Sequence, residues 1–479
     1  MLGNGGTVQP ERRFEREDQL KFARLSGDFN PMHMDAIAAR RTQAGAPVVH
    51  GVHALLWLLD SLARDNPRLP RVGSMKVRFA RMIYVGERVG FRVTQQDETT
   101  LLAQVLVEEL PALSITANLG QPPKPLSLPE AAKQASFLAP TEAIDLSIDD
   151  MEGRSGKVSL PDESALAAMF PDAARHLGAR RVAALACSSY LVGMVMPGLH
   201  SIYGGLTFDV CEDDADRYVV FQTSAVDSRF SLVRQNIWGG GVAASLDAFV
   251  RQPPVQQAAL EEIAPHITPG EFARTTALIV GGSRGLGELT AKIIAAGGGK
   301  VLVTYARGKS DAETVVDEIR RQGGQADALA YDVLGDVAGQ LEVLKETPSH
   351  VYYFATPPLV SRPSSAFSEK RYGEFFAFYV SGFERLIREF AGRHPAALRA
   401  FYPSSVAIDE QPPGMIEYAK AKASGEELCA KLTAELPSLR IVMSRLPRML
   451  TDLTATIHPV ETANPLTILL PLVRDVQHS

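Results

Sequence analysis

Residues 275–304 read TTALIVGGSRGLGELTAKIIAAGGGKVLVT, and this stretch decides the fold of the C-terminal part of the chain. It predicts an apolar strand over 277–280, a glycine-rich turn, a helix over 287–296 and a second strand over 301–304. The order strand, glycine turn, helix and strand is typical of a parallel sheet with crossover helices. We therefore predict an α/β, doubly wound domain over 275–479.

The same alternation continues beyond that stretch. A helix is predicted over 311–322, and further strands are predicted over 328–331, 351–354 and 399–402. This is the Rossmann arrangement, in which dinucleotides bind at the carboxyl ends of the strands. Glycines let the backbone approach a pyrophosphate, and the helix N-terminus stabilises its charge. Six residues of the turn are therefore candidate cofactor ligands: Gly281, Ser283, Arg284, Gly285, Leu286 and Gly287.

The loop after the second strand indicates which dinucleotide is bound. An NAD site usually has an acid here for the ribose 2′-hydroxyl, whereas this chain has Arg307. Together with Arg284, this cation favours a 2′-phosphate and hence NADP(H). The alternative is that Arg307 is a solvated loop residue. Residues 281–285 also fit the GxSxG elbow of hydrolases, but the glycine pattern continues and no matching Asp/His pair is evident.

Tyr418 and Lys422 are four residues apart on a predicted helix, which places phenol and ammonium on one face. An adjacent ammonium stabilises a phenolate, so that a tyrosine can exchange protons near neutral pH. Ser405 ends a predicted strand thirteen residues before Tyr418. With the glycine turn, these residues resemble the short-chain dehydrogenase/reductase family. The resemblance implies that Ser405 holds the substrate carbonyl, Tyr418 exchanges its proton, and Lys422 tunes Tyr418 and binds the nicotinamide ribose.

The resemblance also implies that Asp332 and Val333 contact the adenine. Two departures from the family put its usual proton relay in doubt. Ala-Thr-Pro-Pro at 355–358 replaces the family's NNAG strand end, and Tyr379 aligns near the position of the catalytic Asn.

A second informative stretch is LSGDFNPMH at residues 25–33. Asp28 and His33 lie five residues apart around a proline, so that carboxylate and imidazole can share one water. Such a pair can add water to an activated double bond or remove it. Gly51 begins a predicted apolar helix over 51–64, and its backbone N–H can polarise a thioester carbonyl as an oxyanion contact.

These motifs resemble the MaoC-like hotdog family of R-specific enoyl-CoA hydratases and dehydratases, from Phe22 to about Thr94. The resemblance implies an α+β hotdog fold in which Asp28 and His33 form the catalytic dyad. It further implies an oxyanion contact from Gly51 and supporting roles for Asn30 and Ser74. Taken singly, the His33 side chain could be structural, and Asp28-Phe-Asn-Pro could be no more than a capped turn.

The hydratase-like motifs belong to the first of three blocks, which we assign to 1–120. After its helix, this block has four predicted strands, over 73–79, 88–94, 101–108 and 113–118. Proline-rich residues 121–138 are predicted to be a linker, and residues 253–274 a second one.

Residues 139–252 repeat the helix–strand order weakly, with a helix over 182–195 and strands over 203–210, 217–224 and 241–251. No second SGDxNPxH loop is present. We interpret this block as a degenerate hotdog that completes a double hotdog and accommodates the acyl chain. The alternative is an unrelated α+β spacer.

Composition excludes several classes of protein. With 49 Lys and Arg against 55 Asp and Glu, the formal net charge is −6, which argues against non-specific binding to nucleic acid or anionic membranes. The three cysteines are far apart, so neither a disulfide framework nor a metal site is predicted. Because no signal-peptide pattern or membrane-spanning apolar run is evident, we expect a cytoplasmic protein.

Two chemistries on one chain fit consecutive steps. NADPH-dependent reduction of a 3-oxoacyl thioester gives a 3-hydroxyacyl thioester, and loss of water then gives a trans-2-enoyl thioester. We therefore expect a bifunctional enzyme of fatty acid or polyketide-type metabolism, acting on acyl-CoA or acyl-carrier-protein thioesters. Both resemblances imply a homodimer. Two alternatives stay open: a hydratase with an impaired reductase, and a non-catalytic acyl-thioester-binding scaffold.

Overall fold

The structure is a computed structural model that describes residues 9–129, 134–213, 216–359, 367–393, 397–457 and 460–479. The chain divides into two compact units, Met1–Pro253 with Thr456–Pro459, and Pro254–Ala455 with Val460–Ser479. Among the described residues, no helix is both long and apolar enough to cross a membrane.

The first unit is built on one ten-stranded sheet. Its strands are β1 Gln9–Arg13, β2 Val72–Phe79, β3 Arg88–Gln96, β4 Thr100–Val107, β5 Leu110–Leu119, β6 Ser155–Ser159, β7 Ser201–Val210, β8 Tyr218–Asp227, β9 Leu232–Gly239 and β10 Val242–Val250. The order across the sheet is β1-β3-β4-β5-β2-β7-β10-β9-β8-β6. All neighbouring strands are antiparallel.

This order divides the sheet into two halves with the same topology. The first half runs β1-β3-β4-β5-β2 and the second runs β6-β8-β9-β10-β7, and β2 pairs with β7 in the middle. In each half, one strand is followed by helices and then by four strands. We predicted from the sequence a weak repeat over 139–252, but we did not predict strands β6 and β9. In β9, the fully buried Gln235 interrupts the apolar alternation that reveals a strand.

The helices of the first unit lie between the first and second strands of each half. In the first half they are α1 Arg16–Ser26, α2 Pro31–Met34, α3 Ala36–Ala39 and α4 Gly51–Asp65. In the second half they are α5 Glu163–Met169, α6 Pro171–Leu177 and α7 Ala179–Tyr190, which continues into a π-helical turn over Leu191–Val195. Both α4 and α7 belong to the apolar core, as Leu55 and Ala183 illustrate with no exposed surface.

The second unit has a six-stranded parallel sheet in the order β13-β12-β11-β14-β15-β16. These strands are β11 Thr276–Val280, β12 Lys300–Tyr305, β13 Gln325–Ala330, β14 His350–Tyr353, β15 Leu398–Ser405 and β16 Leu439–Leu446. Numbered within the unit, the order is 3-2-1-4-5-6, that of the doubly wound dinucleotide-binding fold. The α/β prediction thus describes this unit correctly.

Helices connect these strands. They are α8 Leu260–Ile263, α9 Gly285–Ala296, α10 Lys309–Arg321, α11 Val337–Gln340, α12 Glu369–Phe376, α13 Phe383–Arg393, α14 Ala407–Glu410, α15 Ile416–Glu435 and α16 Pro465–His478. A π-helical turn over Ala377–Gly382 joins α12 to α13.

Residues 253–274, predicted to be a linker, are in large part a structural component of the second unit. Leu260, Ile263 and Phe272 are buried in the core that α9 and α10 also form. The Leu260 N–H donates to the Glu318 carboxylate over 3.0 Å. The prolines of this segment predicted a linker. Its apolar side chains are nevertheless buried, because removing them from water stabilises the packed arrangement. The segment therefore packs with the second unit, which begins at Pro254.

Candidate active sites

The loop that carries Asp28 is fixed by its own sequence. Helix α1 ends at Ser26, and Gly27 then adopts a left-handed conformation with φ of 84°. Ser26 Oγ accepts the Asp28 N–H at 3.2 Å, and Asn30 caps α2 by accepting the Met32 N–H at 3.0 Å. These local contacts fix the backbone of the loop, and the Asp28 side chain that it carries is only 2% exposed.

The structure brings Asp28, His33 and His50 together, with side-chain oxygen and nitrogen atoms within 4.8 Å of one another. Nδ1 of His33 lies 2.8 Å from the Val48 carbonyl oxygen, to which it must donate. In a neutral imidazole the other nitrogen, Nε2, is then an acceptor. His33 can therefore take a proton, as a general base requires.

Sequence reasoning missed His50. Its fully buried ring stacks on His33 with centroids 4.0 Å apart. Nδ1 lies 2.9 Å from Gln19 Oε1, and Nε2 lies 3.0 Å from the Asp28 carbonyl oxygen. Burial, with a smaller contribution from His33, lowers the pKa of His50 well below its usual value. A carboxylate and two imidazoles are a possible ligand set for a divalent cation, but both nitrogens of His50 already face hydrogen-bond acceptors.

Two hydrogen bonds hold the Asp28 carboxylate. Ser189 on α7 donates its hydroxyl to Oδ2 over 2.6 Å, and the Asn30 N–H donates to Oδ1 over 3.2 Å. Burial raises the pKa of Asp28, while His33 and these two donors act in the opposite direction. Ser189 was also missed, because a serine within a largely apolar helix gives no functional signal.

Gly51 begins α4, directly after His50. A Cβ atom at this position would lie 2.9 Å from the Phe79 ring, so that only glycine fits without displacement of the ring. The first N–H groups of a helix have no intrahelical acceptor. Within the described part of the chain, no side chain takes up the Gly51 N–H either, which leaves it available to a substrate oxygen.

The other two predicted supporting residues are placed differently. The Asn30 amide donates to the carbonyl oxygens of Gly193 and Gly198, at 2.7 and 3.2 Å, so that it ties the Asp28 loop to the turn after α7. Ser74 is near the start of β2 and accepts from Asn118 at 2.8 Å. It is five residues, or about 17 Å, along the strand from Phe79, which packs on Gly51. The structure thus does not bring Ser74 to Gly51.

In the second unit, the glycine turn has the form that a dinucleotide needs. Gly281 and Gly285 have φ of 77° and 60°, which glycine adopts most readily. A Cβ atom at Gly287 would overlap the carbonyl oxygen of Gly281, so that this position needs glycine for α9 to approach β11. The turn leads directly into the N-terminus of α9, whose first N–H groups can receive a pyrophosphate.

The two candidate phosphate ligands differ. Arg284 forms an ion pair with the buried Asp452 at 3.1 Å, whereas Arg307 is exposed on the loop after β12. The Asp452 carboxylate offsets part of the charge of Arg284, so that Arg307 carries the more exposed charge of the two; phosphate binding by either residue stays a prediction.

The remaining predicted cofactor residues lie in the glycine turn and its helix, Ser283 and Leu286, or after β13, Asp332 and Val333. Ser283 is buried and Leu286 is partly buried against the core of the unit. Val333 is buried, and the neighbouring Asp332 is exposed and accepts the Leu334 N–H at 2.9 Å.

Ser405, Tyr418 and Lys422 lie together where β15 ends and α15 begins. Burial raises the pKa of Tyr418, and its hydrogen bond with Ser405 opposes this shift. Lys422 Nζ donates to the Pro403 carbonyl oxygen at 2.6 Å. Burial lowers the pKa of Lys422 to about 7.

Tyr379 aligns near the position at which the family resemblance expects Asn. It lies in the π-helical turn, and Lys422 Nζ is 4.0 Å from the centroid of its buried ring. Its hydroxyl lies 2.5 Å from Thr356 Oγ1, and its backbone carbonyl accepts the Tyr402 hydroxyl at 3.1 Å. Aromatic side chains therefore surround the lysine, in place of an amide that could hold a water.

Known proteins resemble the two units separately. The model for the MaoC like domain matches residues 4–115, and the model for short chain dehydrogenase matches residues 275–351. An (R)-specific enoyl-CoA hydratase of Aeromonas caviae is 33% identical over 119 residues, which are 24% of this chain and 81% of the relative.

Two reductases match parts of the second unit. A probable tetrahydroxynaphthalene reductase of Zymoseptoria tritici is 35% identical over 88 residues, which are 18% of this chain and 33% of the relative. A 3-oxoacyl-[acyl-carrier-protein] reductase of Synechocystis sp. is 47% identical over 57 residues, which are 12% of this chain and 23% of the relative. The chain thus spans a third or less of the length of these reductases.

The hydratase relative is matched over most of its length, and the short chain dehydrogenase model matches residues that follow those matched by the MaoC like domain model. The chain therefore belongs to the MaoC-like family through its N-terminal domain, and it carries a short-chain dehydrogenase domain after it.

Proposed function

We propose that the chain is a bifunctional acyl-thioester enzyme, an NADPH-dependent 3-oxoacyl reductase and an (R)-3-hydroxyacyl dehydratase or enoyl hydratase. The observation behind this proposal is that each unit brings a candidate acid–base pair together, Asp28 near His33 and Tyr418 near Lys422. Relatives named as an (R)-specific enoyl-CoA hydratase and a 3-oxoacyl-[acyl-carrier-protein] reductase support the same two reactions.

At the first pair, Asp28 and His33 hold and activate one water. In hydration, the water oxygen bonds to C3 of a trans-2-enoyl thioester while His33 Nε2 accepts a proton. The electron pair of the double bond moves toward the thioester oxygen, where the Gly51 N–H stabilises the charge. A proton from the pair then reaches C2. Dehydration is the same sequence in reverse.

At the second pair, the glycine turn and Arg307 would hold NADPH, which supplies a hydride when bound. Ser405 donates a hydrogen bond to the C3 ketone oxygen of the substrate. Tyr418 gives its proton to that oxygen as the oxygen gains charge, and the nearby ammonium of Lys422 favours the resulting phenolate. The glycine turn supports the assignment of NADPH binding to this site. A side chain at Gly287 would collide with the Gly281 carbonyl oxygen and push α9 away from the turn.

We also propose that the first unit is a double hotdog, formed by 1–120 and 139–252 with a connecting segment over 121–138. The equal strand order of its halves and the central pairing of β2 with β7 support this. Homodimer formation and a cytoplasmic location stay predictions.

One alternative keeps a single working site. Tyr379 in place of Asn, with the Lys422 ammonium over its ring, favours a hydratase whose reductase domain binds NADP(H) but turns over slowly. NADPH binding without oxidation would support this alternative.

The deciding experiment supplies acetoacetyl-CoA and acetoacetyl-carrier protein, each with NADPH, and identifies the products by mass. We expect 3-hydroxybutyryl and then crotonyl thioester. Hydration of crotonyl-CoA, assayed without NADPH, tests the first site alone. Absence of both activities would contradict the proposal and leave a binding or scaffold role.

A further inference from the structure

We infer that Ser189, on α7 of the half without the dyad, is a positioning residue for Asp28, and that the hydration site is therefore shared by both halves of the first unit. This inference rests on the proposed hydratase function. It assigns to the second half a part in catalysis beyond completion of the sheet and accommodation of an acyl chain.

The hydrogen bond of Ser189 differs from that of its neighbour. A buried serine within a helix commonly donates to a carbonyl three or four residues earlier. Ser188 does so, donating to the Leu185 carbonyl oxygen at 2.7 Å and accepting from Tyr203 at 3.1 Å. Ser189, 4% exposed, instead donates to Asp28 Oδ2 at 2.6 Å, across 161 residues of sequence. The two adjacent serines thus have different partners. Ser188 forms hydrogen bonds within its own half of the sheet, and Ser189 forms one with Asp28 in the other half.

The turn after α7 also fits closely around the carboxylate. A Cβ atom at Gly193 would overlap Asp28 Oδ1, so that the backbone approaches the carboxylate more closely than any other residue would allow. The Gly193 carbonyl in turn accepts the Asn30 amide at 2.7 Å. This glycine belongs to the π-helical turn, a local irregularity that is frequent at functional sites.

The Ser189 hydroxyl acts on the charge and the orientation of the carboxylate together. Burial favours the protonated acid, and His33, the Ser189 hydroxyl and the Asn30 N–H favour the carboxylate, in that order after burial. The other titratable groups around the loop are His50, with Nε2 4.0 Å from Oδ2, and Tyr190, whose ring packs on Gly27. Burial raises the pKa of Tyr190 to about 12, so it stays neutral in an assay near neutral pH.

Removal of the hydroxyl should therefore have two measurable consequences. The carboxylate loses one of its two hydrogen-bond donors, so the pKa of Asp28 should rise further and the acid limb of the hydration rate should move to higher pH. The carboxylate can also rotate away from the water, which lowers kcat more than it changes KM. A purely structural serine would show neither the shifted limb nor this kcat-selective loss.

The test is hydration of crotonyl-CoA by the full chain without NADPH, from pH 5 to 9. For Ser189→Ala we expect kcat to fall about 10- to 100-fold, the range of a hydrogen bond to a charged group, with KM changed less than about threefold. The acid limb should move up by about one pH unit. Ser189→Thr, which keeps the hydroxyl, should recover most of the activity and the original limb.

Ser188→Ala is the matched control, because it removes a buried hydroxyl from the same helix without touching Asp28. Its kcat should stay within about threefold of wild type and its limb should not move. If Ser189→Ala does not fold, as judged by thermal unfolding, Ser189→Cys keeps the volume and weakens the donor, and should show the same shift to a smaller extent.

If the wild type hydrates crotonyl-CoA and Ser189→Ala has the same kcat and the same acid limb of the pH–rate profile, this inference is overturned. The proposed hydratase function would not be affected by that result. Equal losses in Ser189→Ala and Ser188→Ala with an unmoved limb would also overturn it, because packing would then explain both. A wild-type chain that hydrates no enoyl thioester would overturn the proposed function and this inference together.

Discussion

In each of the two proposed acid–base pairs one side chain is buried, Asp28 or Lys422, and its partner, His33 or Tyr418, is half-buried, but the surroundings of the two pairs differ. The Asp28 carboxylate receives hydrogen bonds on both oxygens, from Ser189 and Asn30. The Lys422 ammonium has the Pro403 carbonyl and the Tyr379 ring as neighbours, and neither carries a formal negative charge. Burial lowers the pKa of Lys422 to about 7, whereas donors oppose the effect of burial at Asp28.

This difference shows what a motif does and does not fix. Both pairs keep their residues at the expected spacing, but the protonation state of each pair depends on neighbours that lie outside its motif. In the first unit those neighbours oppose the rise in the pKa of Asp28 that burial, the larger effect, causes. In the second unit burial lowers the pKa of Lys422 to about 7, so that part of the lysine is neutral near neutral pH, and we expect the reductase to be the more easily weakened of the two activities.

The largest effect is expected for Asp28→Asn. The variant keeps the size and the turn-capping capacity of the residue but removes its charge, so hydration of crotonyl-CoA should fall about 1000-fold. NADPH-dependent reduction should be unchanged, because it uses Tyr418. Substantial hydration by a folded Asp28→Asn protein would mean that Asp28 only caps its turn.

The corresponding change in the second pair is Tyr418→Phe, which keeps the ring and removes the proton donor. Reduction of acetoacetyl-CoA should fall about 100-fold or more, while NADPH still binds, as its fluorescence can show. Hydration should equal that of wild type. Similar reduction rates in wild type and Tyr418→Phe would show that another group supplies the proton.

The sequence predicts these two pairs because each is local. Asp28 and His33 are five residues apart across the start of α2, and Tyr418 and Lys422 share one helix, so that spacing alone places the members of each pair together. The glycine turn likewise predicts the parallel sheet. Ser189 could not be predicted, because only the tertiary pairing of the two halves brings it to Asp28. Nor could the sequence show that the buried Gln235 lies in a strand, or that Asp452 binds Arg284.

A smaller effect is expected at the cofactor loop. Arg307→Asp should lower the preference for NADPH over NADH about 10- to 100-fold, the range of one charge-assisted phosphate contact. Arg284→Gln is the matched control and should change the preference less, because Asp452 already offsets the charge of Arg284. Equal affinities of the wild type for NADPH and NADH would refute this interpretation of the loop.

The smallest effect is expected for Ser74→Ala. This variant tests a point on which the family resemblance and the structure give different expectations. The resemblance implies that Ser74 supports the hydration site, whereas the structure shows it bonded to Asn118, several residues along β2 from the Phe79 that packs on Gly51. Hydration should therefore stay within about twofold of wild type, as for a substitution away from any special feature. Gly51→Ala is the contrasting variant in the same assay, since its added methyl meets Phe79 at the oxyanion position and should lower kcat clearly. A loss in Ser74→Ala as large as that in Gly51→Ala would mean that bound substrate extends along β2 to Ser74, and the resemblance would then be the better guide to this residue.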